Sequence, residues 1–493
     1  MGAWATLIEG SAICRPFLAL AIPNKSAPNL TGAKSPSVVV QLLTHIWGPL
    51  VTPFRSLGQR WQAGAKFLDG ITWSLLLAWM AWATLADTEK IGLGMLALTA
   101  LVVLRWLLFG QGLKPLVWQR IDTLVALFFA TAVVSAAFSS FEATSLKGLA
   151  KFLIFGCGYL TTRWLLLQHA SRRLWLLVSL VAMGVAQSGI GLYQYITDVT
   201  PLATWVDPNT DPTMTMTRVW GTIQPLNPNL LAGYLSPILG VAAGLGLEAC
   251  AKRQWLPAVL AWACAAAIAV GIVLTGSRGG FLSIAAIAVA GFALVGHMLF
   301  WEASLRQKHA LKAMWLLVLL SGVGVIAFKV LHTPALLSRV TSIFAFREDS
   351  SIAYRLNVYH SAWRMFCDNW LWGIGPGNDT FKQVYGYYML PGFYALGCYS
   401  VPLEIAVEQG IWGLLSFWLL MAVVKVGVLW GIDQDNVPLA QRFGLVTLTM
   451  AMVGAMAYGL FDTVWYRPVV NLTWWILVAT WVHTMGQQTP KQV

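Results

Sequence analysis

Arg278 stands in LTGSRGGFLSI (274–284), with glycines at 276, 279 and 280, in a turn between two long apolar runs. A guanidinium is permanently charged and forks onto two oxygens of a phosphate or carboxylate. An arginine fixed in a tight turn, with glycines that let a large group come close, therefore reads as a post for an anion. Arg218 lies in DPTMTMTRVWGTIQPLNPNLLAGYL (211–235), ahead of Asn227-Pro228-Asn229, where a turn is expected and Asn229 is placed to cap the following helix. Arg347 and Arg355 flank a polar helix start, and Asp462 and Arg467 share GLFDTVWYRP (459–468). Glu404 and Glu408, in CYSVPLEIAVEQGIWGLL (398–415), are four apart and so share a helix face. Ionisable groups at a membrane interface need partners, and the nearby arginines are the candidates. Several guanidinium groups converging at one place suit a bulky anion such as a pyrophosphate presented from lipid.

The elements that must position these residues are membrane helices. The chain has 493 residues, 58% of them hydrophobic, only 11% charged, and 26 tryptophans. Stretches of about 17–25 apolar residues read as spans, and twelve are expected, near 71–86, 91–109, 122–140, 148–167, 174–196, 229–248, 255–275, 280–301, 312–331, 409–430, 440–461 and 469–486. Lys and Arg are concentrated before the first span and in the even-numbered connections, while the short odd-numbered turns hold only Lys90, Lys147, Arg278 and Arg467. By the positive-inside rule both termini are cytoplasmic, and the long connections 197–228 and 332–408 are extracytoplasmic. Arg105, Arg163 and Lys425 are expected to snorkel to the cytoplasmic surface.

The expected fold is thus an all-α polytopic membrane protein, with a cytoplasmic segment 1–70, membrane helices over 71–200, a second membrane region over 201–486 and a tail 487–493. Residues 24–38 read as disordered and 39–66 as a surface amphipathic stretch. Glu9 interrupts the apolar run of residues 1–20, which argues against a signal peptide. Within the second long loop, Ile352, Leu356, Tyr359, Trp363 and Phe366 mark one face of an amphipathic helix capped by Asp349 or Ser350.

Other chemistries are excluded. The net charge of +12 is spread through loops rather than gathered on a soluble domain, so nucleic acid is not expected. The six cysteines show no ligand spacing, and no metal or other cofactor is expected. Cys367 and Cys398 fall on the same side and are candidates to pair. GIGPGND (373–379) has no preceding strand and reads as a chain reversal rather than a nucleotide loop.

LTGSRGGFLSI, WGTIQPLNPNLLAGYL (220–235), RLNVYHSAWRMFCDNWLWGIGPGN (355–378) and YSVPLEIAVEQGIWG (399–413) resemble the O-antigen ligase/polymerase superfamily of bacterial membrane glycosyltransferases. PLATWVD (201–207), SIFAFREDSS (342–351) and GLFDTVWYRP look like a cyanobacterial branch of it named for bicarbonate transport or inorganic-carbon accumulation. The superfamily resemblance covers roughly 200–415, and the closer one runs from about 120 onward. It implies transfer of a glycan from undecaprenyl pyrophosphate to an acceptor at the outer face, without metal, with arginines gripping the pyrophosphate and a histidine activating the acceptor. The gripping arginine falls on Arg278, and Arg218 lies in the loop that supplies a second.

The family's histidine, nine residues before Glu408, falls on Tyr399. With a pKa of about 10, tyrosine is a poor general base at neutral pH. Either the acceptor needs no base, Glu404 or His360 substitutes, or this branch does not run ligase chemistry. Three readings follow: a glycan transferase or polymerase, a carrier for bicarbonate, and a non-catalytic lipid-binding scaffold. A carrier needs a midplane site, commonly with broken helices and an ion ligand, which the sequence does not display.

Overall fold

The computed structural model describes residues 3–22, 62–109, 118–199, 218–301, 350–462 and 464–488, with isolated positions between 309 and 332. Every regular element among these residues is an α-helix. They are α1 (Ala3–Gly10), α2 (Cys14–Ala21), α3 (Gln62–Trp82), α4 (Thr88–Phe109), α5 (Arg120–Ala137), α6 (Glu142–Gln168), α7 (Arg172–Ile196) and α8 (Pro228–Ala251). There follow α9 (Trp255–Leu274), α10 (Arg278–Trp301), α11 (Ser350–Asp368), α12 (Asn378–Tyr385), α13 (Val401–Ile432), α14 (Leu439–Gly459) and α15 (Pro468–Gln488).

Eight of these are long and apolar enough to cross a membrane: α4, α5, α7, α8, α9, α10, α13 and α14. The outward face of α9 shows why the surrounding solvent is lipid. Trp255, Leu256, Val259 and Leu260 are all more than half exposed there, a surface no soluble protein presents to water. The protein is a multi-pass membrane protein.

Helices α3, α6 and α15 coincide with three further expected spans without belonging to the eight. Helix α15 shows the physical reason. It is buried on nearly all sides, and Asn471, Thr473, Thr480, His483 and Thr484 all face protein, so this helix need not be greasy to be internal. The expected span 312–331, the disordered and amphipathic readings of 24–38 and 39–61, and Asp349 and Arg347 lie outside the described residues.

Helix α8 is the centre of the bundle, and α14 packs along it. A Cβ on Gly240 would meet the backbone of Met450 and Ala451 at 2.5 Å, and one on Gly244 would meet the Thr447 Cα at 2.4 Å. Small residues four apart let two membrane helices touch backbone to backbone. That contact fixes the start of α8 beside the end of α14, which is where the candidate site lies.

Helix α13 runs 32 residues, longer than the expected span 409–430, because it joins that span to the segment before it. The join is a break at Gly410, with φ 66° and ψ −164°. The carbonyls of Val407 and Glu408 lose their helical donors there and accept instead from the N–H groups of Ile374 (2.9 Å) and Gly375 (3.1 Å), while the Ile411 N–H donates to the Trp370 carbonyl at 2.7 Å. Ser135 also donates to the Glu408 carbonyl, at 2.5 Å. The GIGPGND stretch is thus a chain reversal, and the N–H groups of Ile374 and Gly375 in it are spent mending a broken helix.

The opposite end of the bundle, where α5, α7, α10 and α14 begin or end away from that break, is laced by buried ion pairs. Arg163 grips Asp122 through two bonds of 3.1 and 2.9 Å, and the Tyr159 hydroxyl donates to the same carboxylate. Arg173 forks onto Glu248 at 3.0 and 2.7 Å, with Thr447 donating to Glu248 as well. Arg105 and Arg172 share Asp69. The expected snorkelling of Arg105 and Arg163 is therefore wrong: carboxylates on neighbouring helices draw them inward. Lys425 is exposed, as snorkelling requires.

Helices α1 and α2 dock on this same end. Trp430 donates to Glu9, and the Ala5 N–H donates to Asp433, which accounts for a glutamate interrupting an apolar run.

Candidate functional site

The segment carrying Arg218 is held by polar side chains of α7. Gln194 accepts from the Trp220 and Gly221 N–H groups, Gln187 exchanges two bonds with Thr222, and the Val219 N–H donates to the Leu274 carbonyl at the end of α9. So placed, Arg218 reaches the turn between α9 and α10. Its Nε donates to the Thr275 carbonyl at 2.8 Å and its Nη2 to Asn229 Oδ1 at 2.7 Å. Arg278, the first residue of α10, follows that turn directly.

The cap of α8 is Asn227 rather than Asn229. Its side chain accepts from the Asn229 N–H at 2.8 Å with Pro228 in the first helical position, which frees the Asn229 amide oxygen for Arg218. Tyr458, near the end of α14, ties the two helix starts together. Its hydroxyl donates to the Asn229 carbonyl at 2.6 Å and lies 3.2 Å from the Ser277 hydroxyl. The positive dipole ends of α8 and α10 thus meet beside Arg218 and Arg278.

Arg355, on α11, comes to the same place from the other side. It pairs with Asp462 at 3.1 Å and lies over the ring of Tyr399, 5.7 Å from its centroid. Arg218 and Arg355 are both within Coulombic reach of the Tyr458 hydroxyl. Arg355 thus takes a carboxylate from Asp462.

The amphipathic helix exists, but its buried face differs from the expected stripe. Val358, Ala362 and Met365 are buried, while Leu356 and Trp363 point outward. The inner face is set by a small core with Phe381, Tyr385 and Cys398, whose residues are too far away in sequence to read from periodicity. Cys398 is buried in that core and Cys367 is exposed, and both are free thiols rather than a pair.

Tyr399 has its backbone at φ +53°, uncommon for an aromatic residue, and its carbonyl accepts from the Tyr359 hydroxyl at 2.9 Å. Burial pushes its own hydroxyl well above the ordinary tyrosine range, with Tyr354 and Asp462 adding to the shift and Arg355 opposing it. Burial likewise raises Tyr359, to about 12. Neither hydroxyl is a base near neutrality.

Glu404 and Glu408 lie in a separate hollow next door, with about 710 Å³ of empty space including its mouth. Both are 8% exposed. The hollow is walled by α6, α13, the start of α15 and the Pro376–Asn378 turn. Tyr466 lines it and lies within Coulombic range of Tyr399, so the hollow adjoins the arginine cluster. Arg467 belongs to this side: it stacks on Tyr466 at 4.5 Å and donates to Thr88 at 3.2 Å. His360, the other base considered, is exposed on α11. Of the residues singled out from sequence, Arg218, Asn227, Arg355, Asp462 and Tyr399 converge with the turn that leads into Arg278, whereas Glu404, Glu408 and Arg467 form the neighbouring hollow. Sequence reasoning missed Tyr458 and Asn471; a tyrosine and an asparagine near the ends of otherwise apolar runs were the available signal.

Residues 263–418 match the family model described as O-antigen ligase. The matched segment contains the turn before Arg278, Tyr399, Glu404 and Glu408, while Arg218, Asp462 and Arg467 lie outside it. The match supports a likeness to the O-antigen ligase superfamily over that segment and, in general terms, a ligase- or polymerase-like function. No curated protein matches the chain.

Proposed function

We propose that the protein transfers a glycan from a lipid pyrophosphate carrier to an acceptor hydroxyl at the extracytoplasmic face of a bacterial inner membrane. The observation that carries this reading is the seating of Arg218 on the turn that opens into Arg278, at the meeting of two helix N-termini. Such a place favours a multiply charged anion, and α11 brings Arg355 to it. The acceptor oxygen attacks the anomeric carbon, the bond from that carbon to the phosphate oxygen breaks, and the lipid pyrophosphate leaves with the electron pair into the guanidinium cluster. Attack from the face opposite the leaving group inverts the sugar carbon.

The acceptor proton goes to a carboxylate. Glu404 and Glu408 line the adjoining hollow, and the tyrosine at the family's histidine position is too weak a base. Asp462 holds Arg355 in place. Undecaprenyl pyrophosphate is the carrier implied by the family. The orientation adopted, with the site outward and both termini cytoplasmic, rests on the Lys and Arg distribution.

The inorganic-carbon reading draws no comparable support from the break in α13, because the carbonyls freed there are already taken by the N–H groups of Ile374 and Gly375. Deleting the gene and following lipid-linked oligosaccharide, surface polysaccharide and bicarbonate uptake in the same cells tests the proposal. Accumulated lipid-linked glycan with normal uptake is expected; lost uptake with unchanged glycan would overturn it.

A further inference from the structure

Helix α11 buries one face and leaves the opposite one uncovered. Val358, Ala362 and Met365 pack inward. Leu356, His360, Trp363 and Cys367, spaced four, three and four apart, are exposed along the other side. Arg364 and Asp368 form one edge of this exposed stripe, and Ile352, Tyr359 and Phe366 form the other. Helix α12, which shares the same small core, turns out a different surface: it buries Phe381 and Val384 and shows Lys382 and Gln383. A polar face of that kind suits water. The leucine, tryptophan and cysteine of α11 do not.

The ties of α11 fix where its outward face lies. Near the helix start, Arg355 pairs with Asp462, just past the end of α14. Just past the helix end, the Trp370 carbonyl accepts from the Ile411 N–H at 2.7 Å, where the spanning part of α13 begins. Trp372 then stacks on Phe138, the first residue after α5, with ring centroids 4.9 Å apart. The ends of α5 and α14 and the break in α13 belong to one end of the bundle, so both ends of α11 are held at the same height. The helix extends about 20 Å between its ties. It therefore lies along the membrane plane rather than standing out from it.

The apolar surface runs on from there into lipid. Trp370 is more than half exposed beside Ile411, and the next turn of α13 shows Trp412 and Leu415 outward. Phe138 and, at the other end of α11, Phe461 are exposed as well. Tryptophan favours the boundary between headgroups and acyl chains, and helices that lie in that boundary put aromatic and aliphatic residues on one side and basic ones on the other.

We propose that α11 is an in-plane membrane helix, its Leu356, Trp363 and Cys367 face seated in the headgroup and upper acyl layer of the leaflet at this end of the bundle, with Arg364 reaching lipid phosphates from the polar edge. The inference stands apart from the transferase reading. It makes the bilayer a support for the arginine cluster, because Arg355 rides on the same rigid helix.

The test places a nitroxide on the native Cys367 of the full chain, in phosphatidylethanolamine and phosphatidylglycerol nanodiscs that hold one copy each. Cys250→Ser removes the other exposed thiol, and a Cys250→Ser/Cys367→Ser protein measures whatever label the remaining cysteines take up. Collision rates with oxygen, which concentrates in lipid, and with a water-soluble nickel chelate give the depth. At Cys367 a depth of about 5–10 Å below the phosphates is expected, with a similar depth for a label on Leu356→Cys in the double-serine background. A label on Gln383→Cys, on α12, should meet the nickel chelate freely. Nickel access at 367 equal to that at 383 would overturn the proposal, as would depths at 356 and 367 that differ by about 16 Å, the separation in an upright helix. A label shielded from both reagents would mean that protein covers the face, and would overturn it too.

Discussion

The two ends of this helix bundle handle arginine in opposite ways. At the end holding Asp69, Asp122 and Glu248, carboxylates meet Arg105, Arg163, Arg172 and Arg173 across neighbouring helices. Those guanidinium groups act as buried cross-links. At the other end Arg218 donates to a backbone carbonyl and an amide oxygen, and the helix dipoles there present positive charge. The first arrangement neutralises; at the second, Arg355 is paired with Asp462, while Arg218 is seated on backbone and amide oxygens. The lesson is that an arginine near a membrane boundary is read by what receives its hydrogen bonds and not by its depth.

The comparison breaks most visibly at Arg163. Replacing it with Met leaves Asp122 buried and unpaired, which costs about 3–5 kcal/mol; a thermal-unfolding assay in detergent should show a large loss, partly recovered when Asp122→Asn is added. If Arg163→Met were as stable as wild type, the cross-linking role would be gone.

Arg278→Ala should do the reverse, leaving the melting temperature near wild type while transfer from a lipid pyrophosphate donor to acceptor falls on the order of 100-fold, as when one donor to a developing anion is removed. Arg278→Lys keeps the charge and loses the fork, and should recover only part of the rate. Stability loss without rate loss would assign Arg278 to the first class of arginine.

A smaller effect is expected at the helix break. A side chain at Gly410 adopts φ +66° and brings its Cβ to 2.6 Å from the Leu371 carbonyl oxygen. Gly410→Ala should cost about 1–3 kcal/mol, read as a lower unfolding temperature. The smallest effect belongs to Tyr399→Phe. Because burial holds its hydroxyl above the ordinary tyrosine range, it stays protonated through neutral and mildly alkaline pH. Transfer should change less than about threefold, and the rate should show no upturn toward pH 10 in wild type that the variant lacks. A large drop in Tyr399→Phe would give that hydroxyl a part in the reaction.

Much of the architecture was legible because membrane helices announce themselves by length and apolarity. Eleven of the twelve expected spans overlap a described helix. The turn before Arg278 and the Pro-Asn start of α8 were readable because turn and cap chemistry is local. The partners were not. Asp122 with Arg163, Asp462 with Arg355, and the loop donors that mend α13 are separated by 41, 107 and more than thirty positions respectively. No periodicity reports such a contact. The rotated face of α11 failed for the same reason: the stripe Leu356–Trp363 is real in sequence, yet the small core behind the helix selects Val358, Ala362 and Met365. Asn471 was hidden inside a run read as a span, where one amide looks like a tolerated polar residue.

The break in α13 also sets a height. At 1.5 Å per residue, the stretch after Gly410 is about 33 Å long, close to the hydrocarbon thickness of a bilayer of about 30 Å. That stretch alone suffices to cross the lipid. The short piece before the glycine, which carries Glu404 and Glu408, is then not needed for the crossing and is free to be shaped by the Trp370–Gly375 segment that bonds to it.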